Sequence, residues 1–296
     1  MNFYRAIVQI CQLETAAAEK DYNRIAIPQT EKEVYKLDAV LENFIQSTGW
    51  PMEPPPAYGA FHLTFTFVGL ALSLFFAWKL RNVSEKGHRV LLFSVGIFLA
   101  LCEIYKQLFY YYQVHDHEYP WWIFPFQMCS VPMYLCLIVP WLKTGKVQRG
   151  MYGFMMTYNL LGGLMAFIEP SGIVHEYWTL TLHAFIWHMS LVFLGLYLGF
   201  SKHIEKTIEG FKLSIITYLV LCVIAFGINL LLWEISGGSV NNFYIGPSNS
   251  PLAVFKSICE HCGWFVNTLV YIPAVSLGAF LLFLPFHLKN KSAVKA

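Results

Sequence analysis

Charge is the scarcest property of this chain. Asp, Glu, Lys and Arg make up 13% of its 296 residues, against about 25% in an ordinary soluble domain. The two signs nearly cancel, at a net charge of +2, and no basic stripe stands out, which excludes nucleic acid as a partner. The start of the chain lacks a continuous apolar run behind a basic stretch, so it does not read as a signal peptide. Internal repeats and soluble domains are missing as well. Seven cysteines are scattered, and only Cys259 and Cys262 stand close, as "CEHC" around His261. A structural zinc wants four convergent ligands, so neither a metal nor another cofactor is expected. A disulfide between Cys259 and Cys262, or no bond at all, is the expectation for that pair.

What the chain has instead is apolar length. Hydrophobic residues make up 56%, aromatics 17%, and mean hydropathy is +0.49. Aromatic rings in that number suit two water–lipid boundaries. The fold class is therefore all-α, a polytopic membrane helical bundle. Seven apolar stretches, at about 58–80, 89–112, 120–142, 150–169, 178–200, 211–235 and 264–287, each approach the ~20 residues a bilayer needs. Seven transmembrane helices are expected in residues 57–296.

Lys and Arg alternate along the links. Lys79, Arg81, Lys86 and Arg89 lie in one, Lys143, Lys146 and Arg149 in a second, Lys202, Lys206 and Lys212 in a third, and Lys289, Lys291 and Lys295 in the tail. The intervening links carry Asp116, Glu118, Glu169, Glu176 and Glu260 with one Lys among them. The positive-inside rule then places the C-terminus in the cytoplasm and the N-terminus outside, in a cell membrane. Residues 1–56, with five basic and eight acidic residues, agree. Within them, Val34, Leu37, Val40, Leu41 and Phe44 share one helical face. "GWPMEPPPAYG" then reads as an extended linker. Residues 1–56 are expected to be an extracytoplasmic amphipathic helical segment, lying on the membrane surface or covering a site that opens outward.

Polar groups inside the spans are few, and at membrane depth each asks for a reason. Glu103 and Lys106 are three apart, on one helical face, able to pair. The pair either pins the bundle or serves a site. His183 and His188 are five apart, about 140° around the helix, so they do not share a face. Asn241 and Asn242 follow a Gly-Gly break, where asparagine commonly satisfies local backbone. Gly162 and Gly163 read as helix packing. The third apolar stretch carries Gln127 and Cys129 between Pro125 and Pro132. Prolines there are expected to bend the helix and free carbonyls, which a protein interior or a wet cavity satisfies. These residues together predict a polar pocket in the outer half of the bundle, with membrane lipids as partners and the oligomeric state left open.

The order of these motifs resembles the YwaF-like integral membrane proteins of bacteria and, more distantly, the eukaryotic transmembrane protein 164 family. Glu103 in the second span, "PFQMC" at 125–129, His188 in the fifth span and "NNFYIGP" at 241–247 carry the likeness, over about residues 60–287. The resemblance implies a lipid-directed acyltransferase working through a cysteine thioester. Aligned on the proline, the eukaryotic nucleophilic cysteine falls at Phe126 and the histidine beside it at Gln127, while Cys129 is kept from the bacterial motif. On this reading Cys129, His188 and Glu103 are catalytic, as nucleophile, base and orienting group. Gln127, Lys106, Asn241 and Asn242 bind substrate, with Asn242 or Gln127 donating to the oxyanion. A related reading drops the nucleophile and uses His188 as base on water or alcohol, as in the androgen-induced lipid hydrolases, which the architecture also resembles. A third is a non-catalytic protein that binds, transports or senses a lipid or small solute, and the sequence leaves all three open.

Overall fold

The computed structural model describes residues 29–295, with side chains at 33 and 35–289. Residues 1–28 of the expected surface segment lie outside the described residues. The chain divides into two units, 1–47 and 48–296. In the first, α1 spans Gln29–Ser47. Leu37, Val40 and Phe44, of the apolar face read from the sequence, are exposed.

The second unit is helical among the described residues. Its helices are α2 (Ala60–Leu80), α3 (Glu85–Phe109), α4 (Val131–Ile138), α5 (Lys146–Ile168), α6 (Trp178–Phe200), α7 (Ile208–Leu231) and α8 (Ala253–Lys295). A π-helical turn, Tyr110–Val114, extends α3. Six of these are long and apolar enough to cross a membrane. Capping follows ordinary rules: Ser84 accepts from the Gly87 N–H at 3.2 Å and Thr207 from the Gly210 N–H at 3.1 Å.

α5 and α6 form the centre. Gly195 lets α6 approach α5 so closely that a Cβ there would lie 2.6 Å from Leu160 Cβ. Around them α2, α3, α7 and α8 turn apolar faces outward, where Phe67, Leu101, Val223 and Leu277 are exposed. In water such faces would be unstable. In hydrocarbon they are expected.

The third apolar stretch departs from expectation. In place of one continuous helix over 120–142 there is a short turn at Trp121–Ile123, irregular backbone to Ser130, then α4 and a 3-10 turn at Val139–Trp141. Pro125 lies in the irregular part and bends no helix. Pro132 stands in the first turn of α4, where a missing N–H costs nothing. The stretch nevertheless retraces α3 in reverse. The Ile123 carbonyl accepts from Gln107 Nε2 at 3.0 Å, Leu137 packs at Gly96, and the Trp141 ring lies 5.9 Å from that of Phe93. α3 and α5 therefore run the same way, with His88 Nε2 and the Tyr152 hydroxyl 3.3 Å apart at their starts.

Two further bounds differ. α7 ends at Leu231, and turns carry the chain on to Gly238, at φ +75°. α8 begins at Ala253, and a non-helical Gly263 at φ 84° divides it. Only glycine takes that angle without strain.

Candidate functional site

Glu103 sits on the inner face of α3, 5% exposed. Its carboxylate accepts from Lys106 Nζ, with 2.8 Å to Oε1, and from Gln107 Nε2 at 2.6 Å. Gln107 also donates to the Ile123 carbonyl at 3.0 Å, so this polar ladder ties α3 to the irregular stretch. The i, i+3 spacing anticipated the ion pair. Gln107, one further turn position in "EIYKQ", was missed although its spacing from Glu103 is the same kind of signal.

The irregular stretch holds the remaining polar groups of the third run. Gln127 Nε2 donates to the Asn241 carbonyl at 3.0 Å, and Gln127 Oε1 accepts from the Phe243 N–H at 3.0 Å. The Pro125 carbonyl accepts from the Tyr134 hydroxyl at 2.8 Å. Phe126 faces Phe243, with centroids 6.1 Å apart. Cys129 is partly buried, its thiol free, beside the apolar cluster of Leu99, Met133, Trp187 and Leu191. That cluster includes Trp187 of α6, the residue before His188.

On α6 the two histidines diverge as their spacing requires. His183 Nε2 donates to the Cys102 carbonyl of α3 at 3.0 Å. His188 Nδ1 donates to the Ala184 carbonyl at 2.8 Å. A carbonyl only accepts, so Nδ1 carries the proton and Nε2 presents a lone pair. Glu103 and His188 share no hydrogen bond among the described residues, so the backbone of α6 orients the imidazole.

The turn after α7 is tightly knit. Asn229 Oδ1 accepts from the Asn242 backbone N–H at 2.7 Å and from Asn242 Nδ2 at 3.0 Å. Asn229 Nδ2 donates to the Asn242 carbonyl at 3.0 Å. Asn241 Oδ1 accepts from the Gly246 N–H at 2.8 Å. Phe243 and Tyr244 are held at φ 58° and 56°, a left-handed conformation that side chains other than glycine rarely adopt. Asn241 and Asn242 thus spend most of their capacity on the turn, although Asn242 Oδ1 is buried without a partner.

Among the described residues no group of three or more His, Cys, Asp and Glu is placed to hold a metal. Cys259 and Cys262 are free. Glu103 and Lys106 pair on α3, Cys129 packs from the irregular stretch on the cluster shared by α3, α4 and α6, and Gln127, Asn241 and Asn242 fasten the turn after α7.

A family model described as the TMEM164 family matches residues 57–285. No curated protein matches, and no solved structure matches.

Proposed function

The chain belongs to the TMEM164 family, and from that premise we propose that it is a membrane-embedded acyltransferase acting on lysophospholipids through Cys129. The observation that carries this reading is the packing of Cys129, with its thiol free, against the cluster that holds Trp187, the residue before His188 on α6. His188 Nε2, left as a lone pair by the Nδ1 bond to Ala184, takes the thiol proton.

The Cys129 sulfur then forms a bond to the acyl carbon of a donor ester. The ester C–O bond breaks, and the departing alkoxide takes the proton from His188. In the second half, a lysophospholipid hydroxyl gives its proton to His188 and attacks the thioester. The sulfur leaves as thiolate and the acceptor gains the ester. Glu103 holds Lys106 in place and does not orient the imidazole, and Gln127 and Asn241 act through the turn they fasten.

The same proposal includes seven crossings, the broken third stretch being one, with the N-terminus outside a cell membrane and the tail inside. The alternation of Lys and Arg along the links supports it. The likeness to the bacterial YwaF-like proteins belongs here too, resting on Cys129 at its place in "PFQMC".

The test is acyl exchange in reconstituted vesicles holding a labelled phospholipid donor and an unlabelled lysophospholipid. Wild-type protein moves the label, and Cys129→Ala and His188→Ala do not, while a thioester-linked acyl group is trapped on the His188→Ala protein at high pH. Transfer that survives Cys129→Ala excludes the thioester route. Absence of transfer in all three, with folding intact, favours a lipid-binding protein without catalysis.

A further inference from the structure

A groove of about 880 Å³ runs between α2 and α6. Its walls include Phe61, Phe65, Phe76, Met189 and Phe193, with Ser73 set among them, and neither Cys129 nor His188 lines it. The lining positions of α2 recur at three and four residues from Ala60 to Leu80. That is about 30 Å of helix, the thickness of a bilayer's hydrocarbon core. Exposed Val68, Leu72 and Phe76 on its rim open it to surrounding lipid.

One group does not suit a purely apolar wall. Ser73 is 5% exposed, yet its hydroxyl has no hydrogen-bond partner among the described residues. Thr66 and Ser190, on the same two helices, bond back to the carbonyls of His62 and Ile186 at 2.7 and 2.8 Å. An unused hydroxyl at membrane depth is costly unless something fills its valence. A carbonyl entering the groove would do so.

The Leu80 end of the groove is basic. Lys79, Arg81 and Lys202 gather there, the Lys202 N–H donating to the Arg81 carbonyl at 3.2 Å. The Arg81 guanidinium lies 3.9 Å over the Trp78 ring. Glu85, the carboxylate at this end, is engaged by Arg89 at 3.2 Å and His203 at 3.0 Å. Among the described residues, none of the three cations has a carboxylate partner.

We infer that this groove binds an intact glycerophospholipid as a site distinct from the Cys129 centre. Its ester carbonyl accepts from Ser73 Oγ. Its phosphate faces Lys79 and Arg81, about 10 Å further along the helix. Its acyl tail lies toward Phe61 and Phe65, where about 20 Å of groove remains. The lipid is held there and not cleaved, so the inference stands whether or not Cys129 transfers an acyl group.

The test uses the full chain in nanodiscs containing phosphatidylglycerol with a diazirine in one acyl chain, irradiated and mapped by peptide mass spectrometry. Adducts are expected on residues 60–80 and 186–193 in excess over the lipid-facing side of α7. Ser73→Ala should lower adducts in the groove about fivefold, as for one lost hydrogen bond, and leave those on α7 unchanged, while Ser73→Thr retains them. Unlabelled phosphatidylglycerol should compete and diacylglycerol should not. Equal labelling of the groove and α7 would overturn the site. Labelling unaffected by Ser73→Ala would remove the carbonyl contact, and competition by diacylglycerol would remove the phosphate.

Discussion

Gln127 and Phe243, 116 residues apart in the sequence, are joined by a 3.0 Å hydrogen bond from the Phe243 N–H to the Gln127 side-chain oxygen. The same amide donates to the Asn241 carbonyl. One side chain thus fastens the irregular stretch before α4 to a turn whose Phe243 and Tyr244 are held in left-handed backbone. Strained residues persist only where their surroundings over-determine them.

Gln127→Leu should therefore act first on stability. It leaves the buried Phe243 N–H without its partner, at about 1–3 kcal/mol, while the Asn241 carbonyl keeps the Tyr244 N–H. The expected result is a clear fall in thermal stability of the purified protein, with acyl transfer per folded molecule largely kept. Unchanged stability with lost transfer would return Gln127 to the substrate.

Glu103 and Lys106 form a pair that membrane burial makes interdependent. Glu103→Leu leaves Lys106 charged without its partner, at about 3 kcal/mol or more, whereas removing both charges together is much cheaper. In a double-mutant cycle, each of Glu103→Leu and Lys106→Met should lose more stability than the double variant. Additive losses would mean that the two groups are solvated independently.

Much of this architecture could be read from the sequence, because a membrane span announces itself by length and apolarity alone. The same signal misled at 120–142. Hydropathy registers greasy side chains and not whether the backbone is helical, and Pro132 read as a bend when it starts a helix. The Glu103–Lys106 contact was legible because helical spacing is local. The Gln127 contacts with 241–243 depend on packing between distant segments. His188 was found as a polar residue at depth, but its partner, the Ala184 carbonyl, is backbone and leaves no trace in residue type.

Orientation is open to labelling from outside intact cells. On a background with Cys11→Ser and Cys262→Ser, cysteine at Asn249, an exposed position, should react with a membrane-impermeant maleimide. Cysteine at the exposed Lys202 should react only after permeabilisation. The opposite pattern would put the basic links outside and reverse the positive-inside reading.

Lys206, in the link between α6 and α7, donates to the Ser201 carbonyl. Burial, and then the nearby charge of Lys289, push its pKa down from 10.5 to about 8. Between those values the unfolded chain holds more protons than the folded one, so stability rises with pH across that window. Apparent melting temperature should increase from about pH 8 toward about pH 10 in the wild type, and less so in Lys206→Met. An equal slope in both would assign the rise to other groups.

Gly162 and Gly163 stand side by side on α5, and the structure separates them. A Cβ at Gly163 would meet the His188 carbonyl at 3.1 Å, Val192 N at 3.1 Å and Val192 Cγ2 at 3.0 Å. Two of those three atoms are backbone of α6 and cannot yield without moving the helix. A Cβ at Gly162 would meet only the end of the Met128 side chain, at 3.3 Å, which is flexible enough to turn aside. Alanine also favours a helix over glycine by about 0.5–1 kcal/mol. Gly162→Ala should therefore be neutral or slightly stabilising. Gly163→Ala should cost about 1–3 kcal/mol, as overpacking does. Because the displaced carbonyl belongs to His188, acyl transfer should fall in Gly163→Ala and persist in Gly162→Ala. Equal stability and equal transfer in the two variants would mean that α5 and α6 are not in close contact at this level, and that His188 is positioned from elsewhere.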